Sequence, residues 1–388
     1  MAAGPPQRPR RARMHPDAET VAETVDDTDP DTPPIGSAAR SPVPAGGRAV
    51  VLINSGAGAF VGEPGSAEAL AERLVAGLAA RGIPAVARLA QGAGMAEAAR
   101  RAVSDGARAL LVAGGDGTLA AVAQALRDSP DPATAPPMAA LPLGTANLLA
   151  RDLGMPEDPD EAVAALAEGV LGRIDIGRVN ERVFLNNVVL GLFANLARQR
   201  ERFRGAMTPV LWGRLIWRTV AAVRRYPRLR AVLATEKGVH RVKAHAMVIA
   251  DNAYSDRPGL LVRRDSLGHG ALALYVARHR SAWQWLRLAA GVMVGGTWRD
   301  DADLLTENVR RLTVAVRRRV LRATVDGEVV LLPGRITFRI EPAALRVWVP
   351  AESRAVLAVV DGDARALLAR GTVNPTSSEP PPSVAPHP

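Results

Sequence analysis

Residues 107–128 read ARALLVAGGDGTLAAVAQALRD, and the change of periodicity within this stretch decides the fold. The apolar run 107–113 predicts a buried strand. Gly114, Gly115 and Gly117 then strip the chain of side chains around Asp116 and Thr118, and 118–128 takes up helical spacing. A strand handed to a helix through glycines lets backbone N–H groups approach a ligand, and the helix dipole favours an anion there. A carboxylate at Asp116 repels a bare phosphate, so this reading needs a magnesium ion or a hydroxyl donor between the two. The competing reading is an aspartate that only caps the helix.

Working outward, the same alternation repeats. RAVVLIN (48–54), PAVARLA (84–90) and PMAALPL (137–143) read as strands, and 66–82, 95–106 and 159–169 read as helices. This predicts a doubly wound α/β domain over 48–173, with a parallel sheet covered on both faces. From 174 to 342 the segments are short, strand-like and separated by turns, which predicts an antiparallel β-rich domain, interrupted by helix-like stretches at 205–226 and 281–296. Residues 343–368 are the candidate to return the chain to the first domain and complete it. The segments 1–47 and 371–388 hold few large apolar groups and are expected to be disordered tails.

Composition narrows the partners. The chain has 388 residues, is 48% hydrophobic and 23% charged, and contains no cysteine, which excludes disulfides and thiolate chemistry. Its six histidines are scattered, with no pair at the spacing that places two imidazoles on one helix face. The longest apolar helix candidate, 282–296, is too short to span a bilayer and contains Arg287. With no apolar leader at the start, the expectation is a cytoplasmic protein able to touch the inner membrane face peripherally. The net charge is +10, and the two tails are net negative, which leaves +13 for 48–370. That excess calls for an anionic partner: a nucleotide, a phospholipid surface or a nucleic acid. Residues 198–230 hold ten arginines and one acid, Glu201, interleaved with Trp212, Trp217 and Tyr226. They suit a helix lying on an anionic membrane, or one that buries the stripe Leu211, Leu215, Ile216, Val220 and Val223. Nucleic acid is disfavoured, since no nucleic-acid-binding module is visible. The run VRRRVLR (316–322) reads as a solvated strand face, and Trp283, Trp285 and Trp298 read as packing groups or as the lining of an acyl pocket.

Three further turns carry polar groups. INSGAGAF (53–60) leaves its strand at Asn54 and Ser55 and offers Gly56 and Gly58 for close approach. It is not a dinucleotide fingerprint, because Val61 stands where the third glycine belongs, and no P-loop signature occurs. LPLGTANLLAR (141–151) presents Gly144, Thr145 and Asn147 at a second strand end. In TVDGEVV (324–330), Asp326-Gly327 signals a hairpin, with Glu328 either a solvated strand residue or a working carboxylate.

NSGAG, GGDGTLAAV, LPLGTANLLAR, IDIG, FLNNVVLG and VDGE occur in that order, and together they resemble the diacylglycerol kinase catalytic-domain family, especially its soluble bacterial lipid kinases, with sphingosine and ceramide kinases as relatives. The resemblance spans roughly 48–350. It implies an α/β nucleotide-binding domain followed by a β-sandwich-like domain, with the active site in the cleft between them. It further implies that Asn54, Ser55 and Gly58 touch ATP, and that Gly114, Gly115, Asp116, Gly117, Thr118, Gly144, Thr145 and Asn147 surround its phosphates. Asp116 would help hold magnesium, Glu328 would accept the proton of the lipid hydroxyl, and Asp175 would meet the lipid acceptor. Phosphoryl transfer needs this combination of positioning, charge neutralisation and a proton acceptor. The chain departs from the family pattern in three places. Leu148 follows Asn147 where many bacterial members carry aspartate, and Ala121 replaces a carboxylate after GGDGT. Gly268 and His269 stand where an Asp pair would hold a structural magnesium, so that metal is expected to be absent. These departures keep open a catalytically silent nucleotide- or lipid-binding protein; GGDGT, which NAD kinases share, keeps open a relative of those enzymes, against which LPLGTAN and VDGE argue. Oligomeric state is not legible.

Overall fold

The computed structural model describes residues 47–60, 65–191, 228–256, 263–279 and 297–364, together with 281, 283–285, 287–288 and 291. The expected tails, the helix-like stretch 205–226 and nearly all of the basic segment 198–230 lie outside the described residues. The chain divides into two compact units. One comprises Ser37–Ile176, Arg263–Gly270 and Glu341–Pro388, and the other includes Gly177–Val262 and Ala271–Ile340.

The first unit is built on parallel strands. β1 (Ala49–Asn54), β2 (Ala85–Ala90), β3 (Ala109–Gly114) and β4 (Met138–Pro142) lie in the order β2-β1-β3-β4. All three neighbouring pairs are parallel, with Ala49 beside both Ala85 and Ala109, and Leu110 beside Met138. Val50–Ile53 and Leu110–Ala113 are buried throughout, so these strands are covered on both faces, which is why they read as unbroken apolar runs. The cover comes from α1 (Ser66–Ala79) packed with α5 (Pro159–Ala167), and α2 (Gly94–Ser104) packed with α3 (Asp116–Arg127). The chain steps from β1 out to β2, then returns past β1 to β3 and on to β4. The order therefore reverses between β1 and β3, and the carboxyl end of that switch point is where open α/β sheets bind ligands.

The same unit gains its last pieces from far along the chain. β14 (Glu328–Val349) ends parallel to β4, with Val347 opposite Met138. Trp348 is fully buried there and donates its Nε1–H to the Leu166 carbonyl at 2.8 Å. β5 (Val170–Val179) pairs antiparallel with β15 (Val359–Asp363). Within the loop after β4, α4 (Leu148–Asp152) ends in a buried ion pair, Arg264 Nε to Asp152 Oδ2 at 2.7 Å.

The second unit is antiparallel. β7 (Asn187–Gly191), β10 (Ala246–Asp251), β11 (Leu272–Ala277) and β12 (Leu304–Val309) pair in sequence on one side. β8 (Leu229–Thr235) and β9 (Gly238–Ala244) form a hairpin on the other. β13 (Arg311–Val325) serves both: Leu312–Val316 pair with β8, and Ala323–Val325 pair with β7. The first residues of β14 run beside β13 throughout, and β6 (Arg182–Phe184) closes on the end of β5. Phe184, Leu190, Leu233, Met247, Leu274, Val314 and Phe338 meet in one core between these layers.

Two expectations need correcting. The segments of the antiparallel unit are not all short: 311–325 is one strand, because the chain passes a bulge between Ala315 and Val320 without ending. The helix after GGDGT starts at Asp116 rather than 118, since Gly115, extended at φ −90° and ψ −179°, takes the cap position. A carboxylate in the first turn of a helix is favoured by the dipole.

Candidate active site

Three strands of the parallel sheet, β1, β3 and β4, each deliver a polar turn to the carboxyl end. Asn54 closes β1, and its side chain works in two directions. Its Oδ1 accepts the Gly56 N–H at 3.1 Å, fixing the following turn, and its Nδ2 donates to Thr118 Oγ1 at 2.8 Å, reaching across the switch point to α3. Ser55 turns toward β2 instead: its N–H and hydroxyl both donate to the Ala90 carbonyl, at 3.0 and 3.4 Å. Gly58 opens an exposed 3-10 turn, Gly58–Phe60.

The turns after β3 and β4 touch backbone to backbone. A Cβ on Gly144 would lie 2.5 Å from the Gly115 Cα, and one on Gly115 would lie 3.2 Å from the Gly144 Cα. Only glycines allow these two chains to meet. The Leu143 N–H donates to the Gly114 carbonyl at 3.2 Å and fastens them. Asn147 locks its own loop: it is 7% exposed, holds φ at 50°, accepts the Gly144 N–H and donates back to the Gly144 carbonyl, both at 2.8 Å. Asn147 occupies the cap position of α4, and Thr145 is exposed beside Gly144. Asp116 does not hold the cap position of α3. Its Oδ1 accepts the Leu149 N–H at 3.2 Å, tying the GGDGT turn to the start of α4. Gly115, at the cap position of α3, offers no side chain to the first N–H groups of the helix.

The residues expected to surround phosphates therefore gather at one sheet edge: Asn54, Gly114, Gly115, Asp116, Gly117 and Thr118 with Gly144, Thr145 and Asn147. Asp175 does not join them. It is 1% exposed, and its two carboxylate oxygens accept the Gly270 N–H at 2.6 Å and the Ala343 N–H at 2.8 Å. Its own N–H donates to the Leu267 carbonyl at 2.7 Å. In this structure the carboxylate staples three distant segments of the α/β unit.

The hairpin bearing Glu328 belongs to the antiparallel unit. Asp326 and Gly327, at φ 47° and 86°, form the two-residue turn between β13 and β14. Asp326 is buried, and its carboxylate accepts three backbone N–H groups, from Leu185 and Asn186 at 2.8 Å and Asn187 at 3.1 Å. This pins the turn to the segment between β6 and β7. Glu328 is exposed and pairs with Arg182 of β6, Nη2 to Oε2 at 2.6 Å. Beside it Asn187 donates its Nδ2–H to the Tyr254 hydroxyl at 2.9 Å. Sequence reasoning missed Arg182 and Tyr254, since only strand pairing brings them to this turn; the Asn186-Asn187 pair was visible but carried no signal of its partners.

The model of the diacylglycerol kinase catalytic domain matches residues 48–179. A diacylglycerol kinase of Staphylococcus saprophyticus is 36% identical over 23% of this chain and 28% of its own length. A Pseudomonas aeruginosa protein named "Probable lipid kinase YegS-like" is 38% identical over 29% of this chain and 37% of its own length. The chain thus spans about a third of the length of such curated relatives. In the crystal structure of a diacylglycerol kinase from Bacillus anthracis, 98% of that chain superposes on 80% of this one, with a TM-score of 0.57 at 14% identity. A second structure from the same organism covers 96% and 80%, with a TM-score of 0.61 at 16% identity. The fold is shared with these solved structures, and residues 48–179 match the model of the diacylglycerol kinase catalytic domain.

Proposed function

We propose that the protein is an ATP-dependent lipid kinase that transfers the γ-phosphate to a hydroxyl of a diacylglycerol-like or sphingoid-like lipid. The observation that carries this reading is the bridge across the β1/β3 switch point, Asn54 to Thr118, with Gly115 and Gly144 packed backbone to backbone beside it. That edge fits a triphosphate: it has helix N–H groups with no side chain at the cap position, no side chains at the closest approach, and the neutral donors Asn54 and Thr145. It also fits a nucleotide-borne magnesium. Among the described residues no three ligating side chains converge, and magnesium bound with ATP needs only a carboxylate or two besides phosphates and water. Asp116 supplies that carboxylate. When bound, the metal neutralises charge on the transferring phosphate. Asn54 and Thr118 hold the first two loops in register, and the glycines keep side chains away from the phosphate path. Glu328 accepts the proton of the lipid hydroxyl, and Arg182 holds its carboxylate in place.

The test is incubation of the pure chain with labelled ATP, magnesium and a bacterial lipid extract, followed by mass spectrometry of the lipids. Label in lipid that disappears in Glu328→Gln supports the reading. Nucleotide binding without transfer to any lipid supports instead a silent binding protein, the alternative favoured by Leu148 and Ala121. Phosphorylated NAD would make the chain an NAD kinase relative.

A further inference from the structure

We infer that the outward face of the β8–β9 hairpin is a docking surface for an anionic phospholipid bilayer. The two strands pair antiparallel from Leu229 and Ala244 to the turn at Thr235 and Gly238. Leu229, Ala231 and Leu233 of β8 and Ala244 of β9 are buried in the core of the antiparallel unit, with Val242 packed against them. Side chains alternate across a strand, so Val239, Arg241 and Lys243 share one face of β9, the one opposite Val242 and Ala244. All three are exposed, Val239 at 44%. Arg230 of β8 is exposed too and stands directly opposite Lys243, while the half-buried Val232 stands opposite Arg241. Like charges directly opposed weaken a strand pair, and nothing within the described residues offsets these. The side chains of Arg230, Arg241 and Lys243 make no hydrogen bond or ion pair with a described residue. The only acid from Arg228 to Ala244 is Glu236 at the turn, and its carboxylate accepts the Arg310 and Arg311 N–H groups. Glu307, which reaches the same turn, pairs with Lys237 and accepts from the Thr235 hydroxyl.

Charge on an edge strand can serve only to keep other strands away, and β9 pairs with β8 alone among the described strands. That account covers Arg241 and Lys243. It leaves out Arg230, which lies on the inner strand, and Val239, an apolar group that an edge kept clear has no reason to expose. A second copy of the chain is a poor occupant, since pairing two such edges would bring two sets of cations together. Nucleic acid matches the charge, but no aromatic side chain stands among these residues to stack a base. A bilayer with acidic headgroups answers both features: the cations meet the phosphates, and Val239, at the turn end, reaches toward the apolar layer beneath. Arg230 is also the last arginine of the basic segment 198–230. The inference deepens the lipid-kinase reading by naming the surface from which the acceptor is drawn, and rests on that reading for its purpose, though not for its test.

The test is sedimentation of the full-length protein with vesicles of equal phosphatidylglycerol and phosphatidylcholine, and with pure phosphatidylcholine, in the absence of ATP. Binding is expected to prefer the anionic vesicles and to weaken with salt. Replacing Arg230, Arg241 and Lys243 together by Gln should lower the partition coefficient by on the order of 100-fold, since each basic residue near such a surface contributes roughly fivefold. Val239→Ser should weaken binding to a lesser degree. Two controls should bind as the parent does: Arg230→Lys with Arg241→Lys, which keeps the charge, and the change to Gln of three exposed arginines on α1 and α2, Arg73, Arg100 and Arg101. Thermal melting checks that every variant folds, and the hairpin Gln variant should melt no lower than the parent, because the opposed charges are gone. Equal binding to neutral vesicles, no binding to either kind, an unchanged partition in the hairpin variant, or an equal loss in the α1–α2 control overturns the inference. So does binding of single-stranded RNA that the hairpin variant abolishes while its vesicle binding stays the same. Phosphate transfer to a short-chain lipid in detergent micelles is measured separately and should be unchanged in the hairpin variant. Hairpin-dependent vesicle binding without any transfer would sink the kinase reading and leave the docking surface standing; transfer with hairpin-independent vesicle binding would do the reverse.

Discussion

At the scale of single residues, the candidate site depends on what is missing from Gly144. An added methyl group would press 2.5 Å from the Gly115 Cα and 2.8 Å from Asn147 Oδ1, where backbone has to move. Gly144→Ala should cost about 1–3 kcal/mol of stability, as overpacking does, and should weaken nucleotide binding more than Thr145→Ala; chemical denaturation and nucleotide titration check both. A second residue sets a pH dependence. His245 is 4% exposed, and its Nδ1–H donates to the His279 carbonyl at 2.8 Å. Burial is the main cause that pushes its pKa below the ordinary histidine value; the hydrogen bond opposes this, and the charges of Arg228 and His279 add to it. The unfolded chain therefore binds the proton more readily. This contribution to stability is complete above the unfolded pKa of about 6.5 and is lost as pH falls toward the folded value. The melting temperature should drop between pH 7 and pH 5. His245→Asn, which keeps a donor at the Nδ1 position, should flatten that drop, and an unchanged slope in the variant would refute the assignment. The glycine-rich turns were legible in the sequence because backbone approach leaves a compositional mark. The burial of Asp175 was not, because a carboxylate that holds backbone amides reads the same as one that awaits a ligand.

At the scale of elements, the β13–β14 hairpin shows how far pattern carries. Asp326-Gly327 between apolar runs announced the turn, and the left-handed φ of both residues is what that dipeptide supplies. The three amides of 185–187 that close on Asp326 lie about 140 positions away in the chain, and no local pattern encodes them. The bulge hid in another way. Three consecutive arginines break the period of two, so one 15-residue strand reads as two. Asp326→Asn keeps the turn's tolerance of positive φ but replaces one acceptor oxygen with a donor. It should cost about 1–3 kcal/mol, the penalty of a buried amide left unpaired, and should lower transfer by loosening Glu328. Asp326→Gly, which relieves the turn but removes both acceptor oxygens and so all three bonds, should cost more. The parent and the two variants, compared by urea unfolding, should fall in that order, and an Asn variant as stable as the parent would show that the amides need no carboxylate.

At the scale of the whole molecule, the chain leaves the α/β unit at Ile176, re-enters it at Arg263 and Glu341, and finishes there. The two later entries were hard to read. β14 keeps its strand pattern unbroken over 22 residues while it changes unit, so nothing in its alternation marks the passage at Glu341. The proposed nucleotide contacts nevertheless all fall in one unit, at the carboxyl ends of β1, β3 and β4. Ligand binding stabilises what it touches by about 2.7 kcal/mol at a hundredfold excess over Kd, and local opening reports it residue by residue. Magnesium-ATP should therefore slow amide hydrogen exchange in 54–58, 114–118 and 143–149, and should leave the β8–β9 hairpin, 229–244, at its ligand-free rate. Asn54→Ala, which removes the bridge to Thr118, should erase most of the protection at 114–118 while the core of β3, already buried on both faces, exchanges as before. Protection that appears on β8 and β9 but not at the three turns would move the nucleotide to the antiparallel unit, and the Asn54–Thr118 bridge would then be only a fastening of the sheet edge.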